Sequence, residues 1–129
     1  MRVLGLAFGL AVVVAAQAAA ADARFEKSLQ MLAPEERLEQ LCDYTAMAEI
    51  RKHPGKYRPD RAIANAMAEP TVGKDKLETK GGAFRSRGKW YAMSFSCAVS
   101  PDHLQVTSFH FTIGDEIPET KWAAYHLWD

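Results

Sequence analysis

Apolar residues recur at helical spacing between residues 34 and 53, before the chain changes to a strand-like pattern. The apolar stripe consists of Leu38, Leu41, Cys42, Thr45 and Ala48. Acidic and amide residues lie mostly on the opposite side. Pro34 suits the first turn of a helix, and Pro54 with Gly55 is expected to end it near His53. The pattern predicts an amphipathic helix that directs Cys42 towards the rest of the domain.

A second helix is predicted over residues 61–69, "RAIANAMAE". Asp60 is a suitable N-cap, and Pro70 cannot continue a helix. Its apolar face consists of Ile63, Ala66 and Met67, with Ala62 beside them. Residues 22–33, which precede the first helix, are interpreted as a short N-terminal lead-in.

After Pro70 the hydrophobic pattern alternates, which is typical of antiparallel strands with one covered face. A weak strand is predicted around Leu77, followed by a turn at Gly81 and Gly82. Gly88 then supplies a tight hairpin turn ahead of the long strand "WYAMSFSCAV". The apolar face of that strand carries Tyr91, Met93, Phe95, Cys97 and Val99. Its other face carries Ala92, Ser94, Ser96 and Ala98.

The last strand, "LQVTSFHFTI", changes the side on which its apolar residues fall. Its early apolar residues are Leu104 and Val106, whereas Phe109, Phe111 and Ile113 have the opposite parity. One face cannot hold both sets without an extra residue, so a β-bulge is predicted near Thr107 and Ser108. A short helix is predicted from Pro118, and its large residues are Trp122, Tyr125 and Trp128.

These elements predict one α+β domain over residues 34–129. Two N-terminal helices pack on a three- to four-stranded antiparallel meander, and a short C-terminal helix follows. The length of the chain suits a single domain of this kind.

The N-terminal stretch "MRVLGLAFGLAVVVAAQAAAADA" has the three parts of a secretory signal peptide. Arg2 provides the positive start, an apolar run follows, and small residues offer cleavage after Ala21, or alternatively after Ala20 or Ala23. The apolar run is shorter than the roughly 20 residues that cross a membrane, so no transmembrane segment is expected after cleavage. A signal peptide at residues 1–21 predicts a protein exported to the periplasm.

The charge balance limits the partners of the protein. The chain has 16 Lys and Arg residues against 16 Asp and Glu residues, and removal of Arg2 leaves it slightly acidic. A general nucleic-acid binder needs a large basic footprint, so no nucleic acid is expected as a partner.

Cys42 and Cys97 predict one structural disulfide. Export places both residues in an oxidising compartment, where disulfides persist. The bridge joins the first helix to the long strand and closes a loop of about 55 residues, which is worth on the order of 4 kcal/mol. A redox pair is the alternative, but the cysteines are too far apart for a Cys-x-x-Cys motif.

The sequence contains no recognisable catalytic or metal motif. The histidines His53, His103, His110 and His126 lack metal-ligand spacing and are interpreted as exposed polar residues. No Gly-x-Ser-x-Gly elbow surrounds the serines of the strands, which are Ser94, Ser96 and Ser108. We expect no catalytic residue, metal or cofactor. An enzyme whose site combines His110 with Ser94 or Asp102 is the alternative.

The stretch "FRSRGKWY" is the strongest candidate for a binding surface. Its residues of interest are Arg85, Arg87, Lys89 and Trp90, with Tyr91 next to them and Lys74, Lys76 and Lys80 just before. Basic residues beside aromatic ones can hold an anionic polymer or a carboxylate-rich partner. The alternative is structural: the charges protect a sheet edge, and Trp90 covers the outer face of the sheet.

Several stretches resemble a family of small exported proteins from Gram-negative alphaproteobacteria, known as a domain of unknown function. They are "PEERLEQLCD", "PDRAIANAMAEP", "AFRSRGKWYAMSFSC", "PDHLQVTSFHFTIGDEIP" and the following Trp122. The resemblance implies a periplasmic or envelope-associated protein, and it brings no activity or catalytic residue with it.

Two functions are compatible with this pattern. The first is a non-catalytic module that binds an envelope protein or an anionic polymer of the cell envelope. The second is a small inhibitor or regulator of a periplasmic enzyme, since disulfide-stapled small domains often have that role. The loop "HPGKYRP" is the segment expected to enter an enzyme cleft.

Overall fold

The computed structural model describes residues 23–53 and 55–129, so the predicted signal peptide lies outside the described residues. Two helices come first, α1 at residues 23–30 and α2 at Pro34–Lys52. Five strands follow: β1 Pro59–Ile63, β2 Thr71–Val72, β3 Lys76–Ser86, β4 Lys89–Val99 and β5 Val106–Glu116. The chain finishes with two 3₁₀ turns, Glu119–Lys121 and Ala123–Tyr125. The predicted α+β class is therefore confirmed.

The sheet is antiparallel throughout, in the order β1-β3-β4-β5, and β2 pairs with the start of β3. The predicted bulge is present: Ala98 lies opposite Ser108, but the next pair is Val99 with Val106. Thr107 is thus the extra residue that lets both sets of apolar side chains reach one face.

Two sequence predictions about the helices need correction. The other helix, α1, lies before α2, in the segment that was predicted to be a lead-in. The segment predicted to be the second helix, "RAIANAMAE", instead contributes its first residues to β1. In β1, Ala62 pairs with Phe84 and Ile63 pairs with Ala83. Cross-strand pairing of this kind depends on a distant segment, and it outweighs a weak local preference for helix.

The predicted turn at Gly81 and Gly82 is also wrong, because β3 runs through both residues with a register shift between Thr79 and Gly82. The glycines are needed for close approach instead. A Cβ atom on Gly81 would lie 2.5 Å from the backbone nitrogen of Ala68. A Cβ atom on Gly82 would lie 3.1 Å from the carbonyl oxygen of Ile63.

Hydrophobic residues form two cores, one on each face of the sheet. The inner core lies under α2 and contains the disulfide between Cys42 and Cys97, whose Cα atoms are 6.0 Å apart. The outer core lies under the C-terminal turns and contains Ala83, Trp90, Ile117 and Leu127. The predicted helix-to-strand disulfide is therefore confirmed.

The predicted C-terminal helix consists of the two 3₁₀ turns. Hydrogen bonds from two indole groups hold these turns against the domain. Trp122 Nε1 donates to the Ile117 carbonyl at 3.0 Å, and Trp90 Nε1 donates to the Trp128 carbonyl at 2.6 Å. Trp122 is half-buried, whereas Trp128 leaves much of its ring exposed. None of the helices in the described ranges has both the length and the hydropathy that crossing a membrane requires.

Candidate functional site

The predicted basic-aromatic surface lies on the β3–β4 hairpin, and its residues fall into two groups, one buried and one exposed. Arg85 donates two hydrogen bonds to the carboxylate of Asp60, and its side chain is only 13% exposed. Trp90 is fully buried in the outer core. Arg87 and Lys89 are exposed beside the hairpin turn. Arg85 and Trp90 therefore contribute to the packing of the fold, whereas the side chains of Arg87 and Lys89 face solvent.

Arg87 and Lys89 meet the loop "HPGKYRP" in a feature that we call the cationic cleft. The cleft consists of two adjoining cavities of about 510 and 360 Å³. Its five cationic residues are Arg51, Lys56, Arg58, Arg87 and Lys89. Its remaining walls are Gly55, Tyr57, Ser86 and Tyr91. Two stretches that are distant in sequence, within residues 51–58 and 86–91, thus line one cleft.

Tyr57 fixes the loop side of the cleft. Its ring meets Phe84 edge-on at a centroid distance of 5.4 Å and meets Tyr91 at 5.1 Å. Phe84 and Tyr91 are themselves stacked at 5.4 Å. Because Phe84 is fully buried, this aromatic cluster attaches the cleft to the inner core.

Hydrogen bonds hold two of the arginines in place. The backbone N–H of Arg58 donates to the hydroxyl of Ser86 at 2.8 Å, which ties the loop to the hairpin. Arg51 donates from Nη2 to the carbonyl oxygen of Pro59 at 2.7 Å. The second bond orders the guanidinium of Arg51 before any ligand arrives, so a ligand loses less affinity to the ordering of that side chain, whereas the first fixes the backbone of Arg58.

The backbone of two cationic residues is in the left-handed region. Lys56 has a φ of 71° and Arg87 has a φ of 51°, while Gly88 follows with a φ of 76°. Consecutive positive φ angles at Arg87 and Gly88 match a tight hairpin turn, where Asn or Asp would be the usual first residue. A long cation at such a position departs from local preference, and such departures concentrate at functional sites.

The cleft concentrates positive charge in a chain whose formal net charge is zero. Among the residues that the structure describes, none lining the two cavities carries a carboxylate. Glu116 reaches this end of the sheet opposite Tyr91, but it lines neither cavity. Clefts lined by charge of one sign attract ligands of the other sign, so the arrangement favours an anion.

His103 differs from the sequence prediction, because it is buried rather than exposed. Its Nδ1 lies 2.8 Å from the Pro34 carbonyl, and its Nε2 lies 2.8 Å from the Lys74 carbonyl and 3.0 Å from Asp75 Oδ1. Burial opposes the charged ring, but these hydrogen bonds together hold the pKa of His103 above its ordinary value. The residue joins α2 to two loops.

Within residues 23–53 and 55–129, no cluster of three or more His, Cys, Asp or Glu residues is placed to hold a metal ion.

The residues of the alternative catalytic site do not form a hydrogen-bonded chain. His110 lies opposite Ser96 rather than Ser94, and the Ser96 hydroxyl donates to Glu78 at 3.2 Å. Asp102 lies in the β4–β5 turn, where its carboxylate accepts hydrogen bonds from the Ser100 hydroxyl and the Leu104 N–H. The geometry of the described residues therefore gives no relay from an acid through a histidine to a serine.

Asp43 on α2 is a perturbed acid that sequence reasoning missed. Its Oδ1 atom is buried and, within the described part of the chain, has no hydrogen-bond partner. Burial, with a smaller contribution from Glu39, raises the pKa of Asp43 to about 8. Asp43 does not line the cationic cleft, so we treat it as a determinant of stability.

These features define a class of protein: a disulfide-linked α+β domain with a helix on one sheet face, a C-terminal cap on the other and a cleft lined by cationic residues at one end. The chain belongs to the family described as Domain of Unknown Function (DUF930), whose model matches residues 29–127. The matched segment contains both cysteines and every residue of the cationic cleft. A match was found neither among curated proteins nor among solved structures.

Proposed function

We propose that this protein is an exported, non-catalytic binding module of the cell envelope that holds an anionic polymer in the cationic cleft. The observation that carries the proposal is the convergence of five cationic side chains, with no carboxylate among the described residues lining the cleft. Such a site binds carboxylate or phosphate groups through charge-assisted hydrogen bonds.

The shape of the cleft supports a polymer as the ligand. The two cavities share Lys56, Tyr57 and Arg87, so they form a continuous track rather than one closed pocket. The cationic residues are exposed and spread along this track, which suits repeated anionic groups better than a single small ion. The rings of Tyr57 and Tyr91 supply apolar wall between the charges, against which the body of a polymer unit can pack.

Export is the second part of the proposal, and it rests on two features. The N-terminal residues have the charge, apolar run and small residues of a signal peptide. The disulfide between Cys42 and Cys97 is a feature that persists in oxidising compartments. Fractionation of producing cells, with mass spectrometry of the N terminus, is expected to find a periplasmic chain that starts near Asp22.

Binding is tested by titrating the purified protein with polygalacturonate, a polymer of carboxylates, and with vesicles that contain an anionic lipid. The cleft variant is Arg58→Gln with Arg87→Asn, where Asn tolerates the positive φ of the turn. The matched control is Lys27→Gln with Lys121→Gln, which removes the same charge from exposed positions outside the cleft. The cleft variant is expected to lose about tenfold in affinity, or ~1.4 kcal/mol, and the control much less.

Three outcomes count against the proposal. An equal loss in both variants shows that net charge alone attracts the polymer. No binding to either probe at low salt removes the polymer as the ligand, since screening is weakest there. Recovery of one stoichiometric periplasmic enzyme in a crosslinking pull-down, without polymer binding, favours the inhibitor function instead.

A further inference from the structure

The free edge of β5 is a second feature that the cationic cleft does not explain. β5 is the terminal strand of the sheet and runs for 11 residues, Val106–Glu116. Its only neighbour in the described sheet is β4. In an antiparallel pair every second residue turns its N–H and C=O away from the partner, so the outer side of β5 presents a row of backbone donors and acceptors.

The opposite edge of the sheet is shorter and more interrupted than β5, whose own register shifts lie near its two ends, at Thr107 and between Ile113 and Glu116. There, β1 and β2 are only 5 and 2 residues long. β1 carries Pro59, Asp60 and Arg61, and its register shifts between the first and third of these. β5 contains no proline, lysine or arginine. Short strands, prolines, charges and bulges are the usual means by which proteins block strand pairing.

The inner face of β5 is left incompletely covered. Phe109, Phe111 and Ile113 are only partly buried, although their cross-strand partners on β4 are fully buried. Those partners are Cys97, Phe95 and Met93. The helix α2 contacts β1, at the far edge, more than any other strand, and near β5 the ring of His53 lies 6.0 Å from that of Phe111. One more strand beside β5 would place its side chains next to this apolar row and bury its outer side.

We propose that the partner is the β5 strand of a second copy, paired antiparallel about a two-fold axis at Phe111. A two-fold interface requires a self-complementary surface, because each residue meets its symmetry partner. In this register Phe109 lies opposite Ile113 of the second copy and Phe111 lies opposite itself. Regular pairing covers residues 109–113, between the two register shifts of β5, and the same register brings the strand ends together, with Val106 opposite Glu116.

The charges of the strand fit this arrangement. Asp115 lies opposite Thr107, and Glu116 lies opposite Val106, so no two carboxylates face each other directly. On the outer face, His110 lies opposite Thr112, and both residues are exposed in the single chain. The result is one continuous sheet in which the apolar rows of the two copies adjoin.

The pairing of His110 with Thr112 supplies a specific test. One variant carries His110→Lys with Thr112→Lys, and a second carries His110→Glu with Thr112→Glu. Like charges directly opposite each other destabilise a strand pair, so each variant alone is expected to dimerise about tenfold more weakly than the natural chain. An equimolar mixture of the two variants places opposite charges across the interface and is expected to restore the dimer. Analytical ultracentrifugation over a range of concentrations gives the dissociation constants.

The control is Thr71→Lys with Thr120→Lys, which adds the same charge at exposed positions outside β5. This variant is expected to dimerise like the natural chain, and circular dichroism checks that every variant is folded. A natural chain that stays monomeric at high micromolar concentration overturns the proposal. It is equally overturned if the lysine variant dimerises normally, or if mixing the two charged variants restores nothing.

Discussion

Arg85 and Asp60 form a two-pronged ion pair between β3 and β1, with Nε donating to Oδ1 at 3.0 Å and Nη2 donating to Oδ2 at 2.8 Å. The same guanidinium lies 5.9 Å from the ring centroids of both Trp90 and Trp128. The pair therefore connects the short edge strand to the C-terminal cap of the outer core. Hydrogen bonding to Arg85 is the main reason that the pKa of Asp60 is lowered.

We predict that Asp60→Asn lowers the free energy of unfolding by about 1 kcal/mol at neutral pH, the upper range for a surface pair, because Asp60 is half exposed. The folded pKa of Asp60 is depressed, so its contribution is present above the unfolded value near 3.8 and is lost as pH falls through the folded value. Urea unfolding at neutral and strongly acidic pH measures this. Asp115→Asn on the exposed end of β5 is the control. An effect of Asp60→Asn that is as large in acid as at neutral pH contradicts the prediction.

His103 provides the second prediction, since its ring nitrogens face three oxygen acceptors among the described residues. Two carbonyl oxygens and the Asp75 carboxylate surround it, and Arg37 donates to the carbonyl of the preceding residue, Asp102, at 3.0 Å. The folded pKa of His103 is raised, so its stabilisation is complete below the unfolded value near 6.5 and is lost as pH rises through the folded value.

The test replaces His103 with Asn, which accepts the positive φ of 58° at this position. The variant is expected to lose about 1–2 kcal/mol of unfolding free energy at mildly acidic pH, and less at alkaline pH, because the hydrogen bonds of the charged ring are absent. His126→Asn also replaces a histidine with positive φ, at 57°, but an exposed one, and serves as the matched control. A difference from the natural chain that grows with pH argues against a charged His103.

Asp43 gives a prediction of opposite sign to those for Asp60 and His103, because its replacement is expected to stabilise the protein. Its folded pKa is raised from 3.8 to about 8, mainly by burial, so the folded state holds a proton that the unfolded state releases. Stability is therefore expected to fall as pH rises between these values. Asp43→Asn removes the titration and is expected to stabilise the protein by ~1–3 kcal/mol or more at alkaline pH, because the amide carries no charge to bury, with little effect near pH 4, where both side chains are neutral. Thermal unfolding across pH measures the difference.

Glu39→Gln separates the two causes of this pKa shift. It removes the neighbouring charge that contributes to the raised pKa, but it leaves Asp43 buried. The pH dependence of stability is expected to persist in this variant and to move only slightly towards lower pH. If Glu39→Gln abolishes the pH dependence, repulsion rather than burial is the main cause.

The parts of the fold that sequence predicts well are those determined by local alternation. The faces of β4 follow from side chains that alternate in sequence, and the bulge at Thr107 follows from a change of parity that any strand must accommodate. β1 cannot be found in this way. Its residues have helical spacing, and they form a strand only because Ala62 and Ile63 pair with a segment about 20 residues further on.

The sequence predicts each of the two segments that form the cationic cleft, but it does not predict that they meet. Arg87 and Lys89 stand out because basic and aromatic residues alternate around a hairpin turn, and "HPGKYRP" has the same composition. Their meeting depends on the packing of Tyr57 against Phe84, a contact between distant segments that no local pattern encodes. Which of the two roles considered for Trp90 applies depends on a distant segment in the same way, because its burial with Leu127 and Ile117 follows from the path of the C-terminal turns.

The last prediction concerns the disulfide, which joins α2 to β4 inside the inner core. Cys42 and Cys97 are fully buried, and 55 residues separate them in sequence. Replacing both by alanine is expected to lower the free energy of unfolding by ~4 kcal/mol through the larger entropy of the unfolded chain. Urea unfolding measures the loss, and the natural chain unfolded under reducing conditions serves as a comparison with unchanged side chains. Since a domain of this size has only about 5–15 kcal/mol of stability, both forms are expected to unfold at much lower urea concentration. An unchanged midpoint would show that α2 is held to the sheet by the inner core alone.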